Sequence, residues 1–555
     1  MRRDSQSRIV SDCLFEQQRG ALRSWGRRKA ARCTGFQKDE SGAVAIIFGV
    51  TLIPLAAMMG LALDYSRVSL GRAELQAAVD SAGLAAAQLP RDTPIATIQQ
   101  KAQEWVESNL AGKNLGDVRV TAVKNGTNIT FRAEGAVGMS LFSLLRKEAV
   151  PLAASNEVTW DLGKVEIALV LDNTGSMASN NKLSNLVTAA NKLVDTLRAA
   201  VTKTGQVRIG IVPFSSAVRL ASTTTEKNAY MTQPWLAQHT LSPVNREIFW
   251  DTSKSTTSNP NRFDLFKDIG VSWGGCVEGR PIPYDVQDTP PGTSDPKTLF
   301  VPFFAPDEPD KANGYSYPNN YLPDELNSSQ PFKARQGNDK KYDQSPSSSG
   351  VGPNVGCSLL PILRLSTDLE PAGAVKTRIN QMTATGDTNI PLGLMWGWHL
   401  LSPHLPLADG VAYDTDNVTK YIILMTDGDN TYGRISNDEN KNKSYYTSLG
   451  YVWQRRLGNT TDDPSASSRN SLMNNRLKAL CANLRKEPAA GQPRTSSAPG
   501  IQVYAIGVGV NSTTKKLLSD CAYKPDMYYD VTNASDMTSV FTRIADEISQ
   551  LRLSK

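Results

Sequence analysis

The sequence predicts an α/β fold: a doubly wound, mainly parallel sheet with a large insertion, preceded by a transmembrane helix and a small α+β module. Three observations lead there. From residue 161 onward, apolar runs of strand length alternate with helical patterns, the signature of parallel strands joined by crossover helices. Two of those runs, Val165-Glu166-Ile167-Ala168-Leu169-Val170-Leu171 and Tyr421-Ile422-Ile423-Leu424-Met425, lead into the carboxylates Asp172 and Asp427. On such sheets, ligands gather at the carboxyl ends of the strands. Ahead of all this, residues 42–63 read GAVAIIFGVTLIPLAAMMGLAL, without one charge.

Composition bounds the rest. The chain has 555 residues and 40% hydrophobic content, enough for two or three domains. Its net charge of +6 is concentrated in residues 1–41, where eight Arg and two Lys face five acids. The remainder is close to neutral, which argues against a nucleic-acid-binding surface. The run Arg27-Arg28-Lys29 reads as a solvated flank.

Residues 1–41 form a basic cytoplasmic segment and residues 42–64 a transmembrane helix. Twenty-two apolar residues at 1.5 Å rise span about 33 Å, the thickness of a bilayer's hydrocarbon core. Pro54, which would kink a soluble helix, is tolerated in a membrane. A cleaved signal peptide has a shorter apolar region and a small-x-small site, which is not evident here. Because Lys and Arg stay inside, the N-terminus is cytoplasmic and the bulk of the chain lies outside, periplasmic or extracellular.

Residues 65–160 form the small α+β module. Ile95, Ile98, Ala102, Trp105 and Val106 mark one side of a helix over 95–110. Strands at 118–123 and 128–133 flank Asn125-Gly126, a hairpin turn signal. Residues 161–555 form the α/β domain: strands at 164–172, 206–212, 419–425, 501–508 and 527–531, with helices at 182–199, 469–485 and 535–551.

Such a sheet needs roughly 200 residues, and the surplus falls in an insertion at about 222–366, with a second polar excursion at 429–468. The paired prolines of Asp288-Thr289-Pro290-Pro291-Gly292 exclude helix interior and central strand there. Trp235, Trp250, Trp273, Phe303 and Phe304 argue that the insertion packs rather than serving as a linker. Four cysteines follow the span, and an even number in an oxidising compartment predicts two bridges. Cys276–Cys357 lies inside the insertion; Cys481–Cys521 closes a loop between late helical segments. Cys13 and Cys33 fall on the reducing side.

The chemistry-bearing motif is Asp172-Asn173-Thr174-Gly175-Ser176. A carboxylate and two hydroxyls at alternate positions on a strand-to-helix turn can face one point, which suits a hard divalent cation. Gly386-Asp387-Thr388-Asn389-Ile390 offers a further hydroxyl, and Thr426-Asp427-Gly428 a second carboxylate. These pieces, in this order, resemble the metal-ion-dependent adhesion site of von Willebrand factor type A domains, with Thr174 standing for the family's first Ser. The resemblance implies Mg²⁺, or another divalent cation such as Ca²⁺ or Mn²⁺, bound directly by Thr174, Ser176 and Thr388. Asp172 and Asp427 would act through ordered waters, leaving one coordination position for a partner's carboxylate.

A second resemblance covers the anchor. Ser41-Gly42-Ala43-Val44-Ala45-Ile46-Ile47-Phe48, Gly60-Leu61-Ala62-Leu63-Asp64-Tyr65-Ser66-Arg67 and the Ala-rich run from Leu75 to Ala87 are similar to the TadE/TadG-like module of tight-adherence (Flp) pilus assembly. Processed pilins of that kind carry Glu five residues after the cleavage Gly. Here that position is Ile47, which implies an uncleaved anchor.

Other chemistries lack their residues. His399 and His404 are five apart, unlike a His-Glu-x-x-His pair; no Walker loop is present; and Ser176 has no Gly-x-Ser-x-Gly elbow. Gly507-Val508-Gly509 lacks a third dinucleotide-binding glycine, so no nucleotide is expected. The expectation is a non-enzymatic, membrane-anchored protein of pilus assembly or secretion that binds protein partners, pilus-assembly components foremost. A surface adhesin for an external protein or matrix is the alternative from another class.

Overall fold

The computed structural model describes residues 41–550, apart from residues 88, 90–92, 126–127, 140–148, 160–163, 202, 252, 255, 312–313 and 347–350. The basic segment 1–40 with Cys13 and Cys33, and the hairpin turn position Gly126, lie outside the described residues. The chain divides into two compact units. One comprises residues 1–74, 112–118 and 134–153; the other comprises residues 75–111, 119–133 and 154–555.

Helix α1 (Ser41–Ala87), whose residues to 74 belong to the first unit, carries one candidate membrane span by length and composition. Its apolar side chains face outward, Ile53 at 71% exposure, the reverse of a soluble core helix. Farther along, Gly71 leaves room for Val137 and Leu152; a Cβ there would stand 2.7 Å from Val137 Cγ2.

The second unit begins with the remainder of α1, which buries Leu75, Val79, Ala82 and Ala86 at helical spacing. In α2 (Ile95–Leu110) the buried stripe is Ile98, Ala102, Val106 and Leu110. Ile95, counted by sequence on that side, is instead exposed, because the stripe follows a strict four-residue step from Ile98. Strands β1 (Arg119–Asn125), β2 (Asn128–Val137) and β3 (Val150–Thr159) form a three-stranded sheet in that order. Two glutamines of α2 accept from β1 backbone N–H groups, Gln103 from Val120 (2.7 Å) and Gln99 from Ala122 (3.2 Å). They satisfy donors that an open sheet edge would leave to another chain.

The large sheet follows. Strands β4 (Lys164–Asp172) and β5 (Val207–Phe214) flank α3 (Lys182–Ala200) in sequence. The chain then passes through the short helices α4 (Thr224–Met231) and α5 (Pro234–Ala237), the two-residue strands β6 (Trp250–Asp251) and β7 (Thr256–Thr257), α6 (Arg262–Asp268) and α7 (Phe332–Gly337). It rejoins the sheet at β8 (Leu363–Ser366) and continues through α8 (Ala374–Asn380), α9 (Ile390–Leu401), β9 (Val418–Thr426), α10 (Ala466–Arg485), β10 (Gln502–Val508), α11 (Ser512–Cys521), β11 (Tyr528–Val531) and α12 (Met537–Gln550). The strand order is β11-β10-β9-β4-β5-β8. The first five of these strands are mutually parallel, and β8 is antiparallel to β5. The fold is therefore mixed α/β with a parallel-rich sheet. At four residues, Leu-Arg-Leu-Ser, β8 is too short for its alternation to stand out as a strand signal.

Helix α9 is buried at every one of its residues. Gly393 and Gly397 make that possible: Cβ atoms there would lie 2.4 Å from Phe214 Cγ and 2.5 Å from Val170 Cγ2. The helix thus lies directly on β4 and β5, and its N-terminus delivers the Thr388 loop to the strand ends.

Between β5 and β8, Trp235, Trp273, Phe303, Phe304, Tyr321 and Tyr342 are buried, and Trp250 is half-buried. Edge-to-face pairs join Phe304 to Phe249, Phe266 and Tyr342. Cys276 is joined to Cys357 and Cys481 to Cys521, with Cα–Cα separations of 5.9 and 5.0 Å. Residues of the polar stretch after β9 return to this region: Asn442 Nδ2 donates to Glu308 Oε1 (2.9 Å) and to Gln336 Oε1 (2.8 Å).

Candidate metal centre

Asp172 ends β4 and Asp427 directly follows β9, its neighbour in the sheet, so the two carboxylates meet at one rim. Backbone extension through Thr174 (φ −73°, ψ 165°) turns the chain into the short 3₁₀ helix Gly175–Ala178. Thr174 occupies the cap position of that helix, yet its side chain makes no capping hydrogen bond. Its hydroxyl faces Ser176 Oγ at 3.0 Å instead. The commonest structural use of such a turn, helix capping, is therefore not what this threonine does.

The hydrogen bonds bind the motif to the second carboxylate. Ser176 Oγ donates to Asp427 Oδ1 (2.6 Å) across 251 residues. Asp172 accepts from Thr174 N–H through Oδ1 (2.8 Å) and from Thr426 Oγ1 through Oδ2 (2.7 Å). Asp172 and Thr174 are sealed, the Asp427 side chain is fully covered, and Gly175 and Ser176 stand exposed at the mouth.

Of the five residues picked from sequence, four are joined in this network: Asp172, Thr174, Ser176 and Asp427. Thr388 arrives through its loop. Gly175 N–H donates to Gly386 O (3.0 Å) and Thr385 N–H to Asn173 O (2.6 Å), tying that loop to the turn. Thr388 is itself buried, with its N–H donating to Thr431 Oγ1 and its C=O accepting from Thr431 N–H, both at 2.8 Å. No hydrogen bond joins its side chain to the other four.

Two participants escaped the sequence reading. Thr426 holds Asp172, and Lys182 Nζ donates to Asp427 Oδ2 at 2.8 Å. Lys182 did carry a signal. It is the first residue of α3, at the positive end of the helix dipole, where an acid is favoured and a lysine is not.

The residues fit a divalent cation. Burial, and then the charge of Asp427, push the Asp172 carboxyl up to about 6 against the hydrogen bonds of Thr174 and Thr426. Of the two covered carboxylates only Asp427 is bonded by an ammonium, that of Lys182, and the remaining donors are hard oxygens, the set that Mg²⁺ and Ca²⁺ prefer. Among the described residues no group of three or more His, Cys, Asp and Glu comes together, at this centre or elsewhere, so hydroxyl oxygens would have to complete the set.

The Ser176 hydroxyl bonds Asp427 and Thr174 and, among the described residues, no histidine. His239 is structural, with Nδ1 bonded to Leu236 O (2.8 Å) and Nε2 accepting from Arg262 N–H (3.0 Å).

Comparison with known proteins adds one assignment. Residues 42–89 match the family model described as "Putative Flp pilus-assembly TadE/G-like". Residues 42–89 are TadE/G-like. No curated protein matches the chain. Among solved structures, the pilus adhesin SpaC from Lactobacillus rhamnosus GG is similar at 13% identity and a TM-score of 0.29, over 78% of this chain and 34% of SpaC. The von Willebrand factor domain of the type V pili tip protein Mfa5 from Porphyromonas gingivalis matches at 12% identity and a TM-score of 0.29, over 71% of this chain and 98% of that domain. The adhesive tip pilin GBS104 from Group B Streptococcus agalactiae matches at 14% identity and a TM-score of 0.29, over 69% and 100%. This chain spans about a third of the length of SpaC.

Proposed function

We propose that the protein is a membrane-anchored, non-enzymatic component of pilus assembly or secretion, whose α/β domain is of the von Willebrand factor A kind and binds a protein partner through a divalent cation. The observation that carries this is the bond from Ser176 Oγ to Asp427 Oδ1, with Thr174 Oγ1 alongside, at the carboxyl ends of adjacent parallel strands. Thr174, Ser176 and Thr388 would hold the ion directly; Asp172 and Asp427 would hold its waters. Bound there, Mg²⁺ or a similar ion supplies a positive charge with room for a partner's carboxylate. Thr426 and the Thr174 N–H fix the Asp172 carboxylate, while the exposed Ser176 marks the face where a partner would dock. The TadE/G-like anchor supports a pilus-assembly setting, and the charge asymmetry about residues 42–63 supports an outward domain.

The full chain in detergent should capture its partner from envelope extracts in Mg²⁺ and release it in chelator, and Asp172→Ala should abolish capture. Equal capture in chelator refutes the metal-dependent reading. In cells, deletion of the gene should abolish pili; normal pili with lost attachment would favour the adhesin. A reporter active only outside the cytoplasm, fused after Lys555, should be active, and an inactive fusion would overturn the orientation.

A further inference from the structure

Lys182 is placed at the metal centre at a local cost. Asn180 and Asn181, just before it, both adopt left-handed backbone (φ 54° and 55°), a conformation that non-glycine residues enter singly and with strain. Asn181 is the cap of α3 and yet makes no side-chain capping bond, and the first turn of α3 holds no acid. A good cap and an acid would each stabilise this end, so the helix start is poor on its own terms. What the arrangement achieves is the position of one ammonium. Lys182 Nζ sits 2.8 Å from Asp427 Oδ2, on the oxygen that Ser176 leaves free, with only 19% of the side chain exposed.

Two covered carboxylates without a counter-ion would repel each other and destabilise the strand ends. A single tethered ammonium offsets part of that repulsion while the centre is empty. It also opposes any second cation brought to the same carboxylates, since like charges a few ångströms apart repel even in a high dielectric. We propose that Lys182 is a built-in competing cation: it stabilises the metal-free centre and lowers its affinity for divalent ions. This inference rests on the metal-centre reading above and deepens it. Lys182 makes loading respond to the ambient concentration of the ion, where an unopposed pair of carboxylates would retain it.

The test is Mg²⁺ titration of the full chain in detergent, by calorimetry and by the Mg²⁺-induced shift in melting temperature, for the wild type and for Lys182→Met, Lys182→Gln and Lys182→Arg. Removing the charge should tighten Mg²⁺ binding by about tenfold or more. In chelator, the Met and Gln variants should melt below the wild type, and their Mg²⁺-induced shift should be the larger. Lys182→Arg, which keeps the charge, should bind as the wild type does. If Lys182 only props Asp427 in place, the Met and Gln variants will bind Mg²⁺ more weakly or equally, and the inference fails while the metal centre stands. If neither wild type nor variants bind, both readings fail. Binding that appears only in the Met and Gln variants would support the inference in its strongest form.

Discussion

Two regions of this chain bury carboxylates, and they balance them differently. Between β5 and β8, Glu278 is fully covered but lies between two guanidiniums: Arg262 bonds one oxygen and Arg456 Nη1 the other at 2.6 Å, with Tyr446 OH donating as well. Burial works against its ionisation, yet the charges of Arg262 and Arg456 outweigh it and hold the carboxyl below its usual range. At the ends of β4 and β9, Asp172 and Asp427 lie close enough to repel; among the described residues Lys182, bonded to Asp427, is the directly bonded cation, and burial with the charge of Asp427 raises the Asp172 carboxyl. The Glu278 cluster is electrostatically closed, and the strand-end pair is short of positive charge. A closed cluster specifies packing, whereas a deficient one asks for a ligand.

The comparison can be broken most strongly at the covalent tie. Replacing Cys276 and Cys357 by Ser opens a crosslink between positions 81 apart, which in the chain-entropy model costs about 4.5 kcal/mol. Thermal denaturation should show that loss while Mg²⁺ binding at the strand ends persists. Loss of Mg²⁺ binding in a folded variant would mean that the two regions are not independent.

Arg262→Met should come next, at roughly 3–5 kcal/mol, because it leaves Glu278 buried with half its compensation. It also removes bonds to Asn245 Oδ1 (2.9 Å) and Pro302 O (3.0 Å). A urea midpoint unchanged from wild type would refute the view that this cluster is structural.

Glu308 sharpens the contrast from within the same region. It is buried beside Asp307, bonded by Asn319 N–H, Asn442 and Tyr451 and, among the described residues, by no cation. Burial pushes its carboxyl up to about 6. A folded value above the unfolded one means that its contribution is full at and below about pH 4.3 and is lost as pH rises through about 6. Between pH 4 and 7 the wild type should therefore lose about 2 kcal/mol relative to Glu308→Gln. Parallel stability–pH curves for the two proteins would contradict this.

The smallest effect is expected at the strand ends. Asp172→Asn removes a repulsion there and keeps the shape, since Oδ1 can still accept from Thr174 and the Thr426 hydroxyl can reverse its bond. In chelator its stability should lie within about 0.5 kcal/mol of wild type or above it. A loss of several kcal/mol would place Asp172 with Glu278, as a structural carboxylate.

The site was more legible than the region beside it. Asp172-x-Thr174-x-Ser176 and Asp427 are short, local signals set at strand ends, and local pattern is what a sequence displays. Lys182 was missed because its partner lies 245 residues away, and Thr426 because its bond to Asp172 spans 254. The Arg262–Glu278–Arg456 cluster joins residues from two separate polar stretches with no periodicity between them. The parallel strands were readable from apolar runs; β8, four residues long and antiparallel, was not. Helix α9 is apolar on all sides and so has no face to mark its bounds; Trp396-Gly397-Trp398 reads from sequence as helix packing, but the extent of the helix does not.

Calorimetric titration of Mg²⁺ into the full chain in detergent, wild type against Asp172→Asn, tests the charge-deficient centre most directly. The wild type should bind one ion with saturable heat and gain melting temperature, and Asp172→Asn should do neither while melting like the metal-free wild type in chelator. Identical titrations for the two proteins would contradict the account.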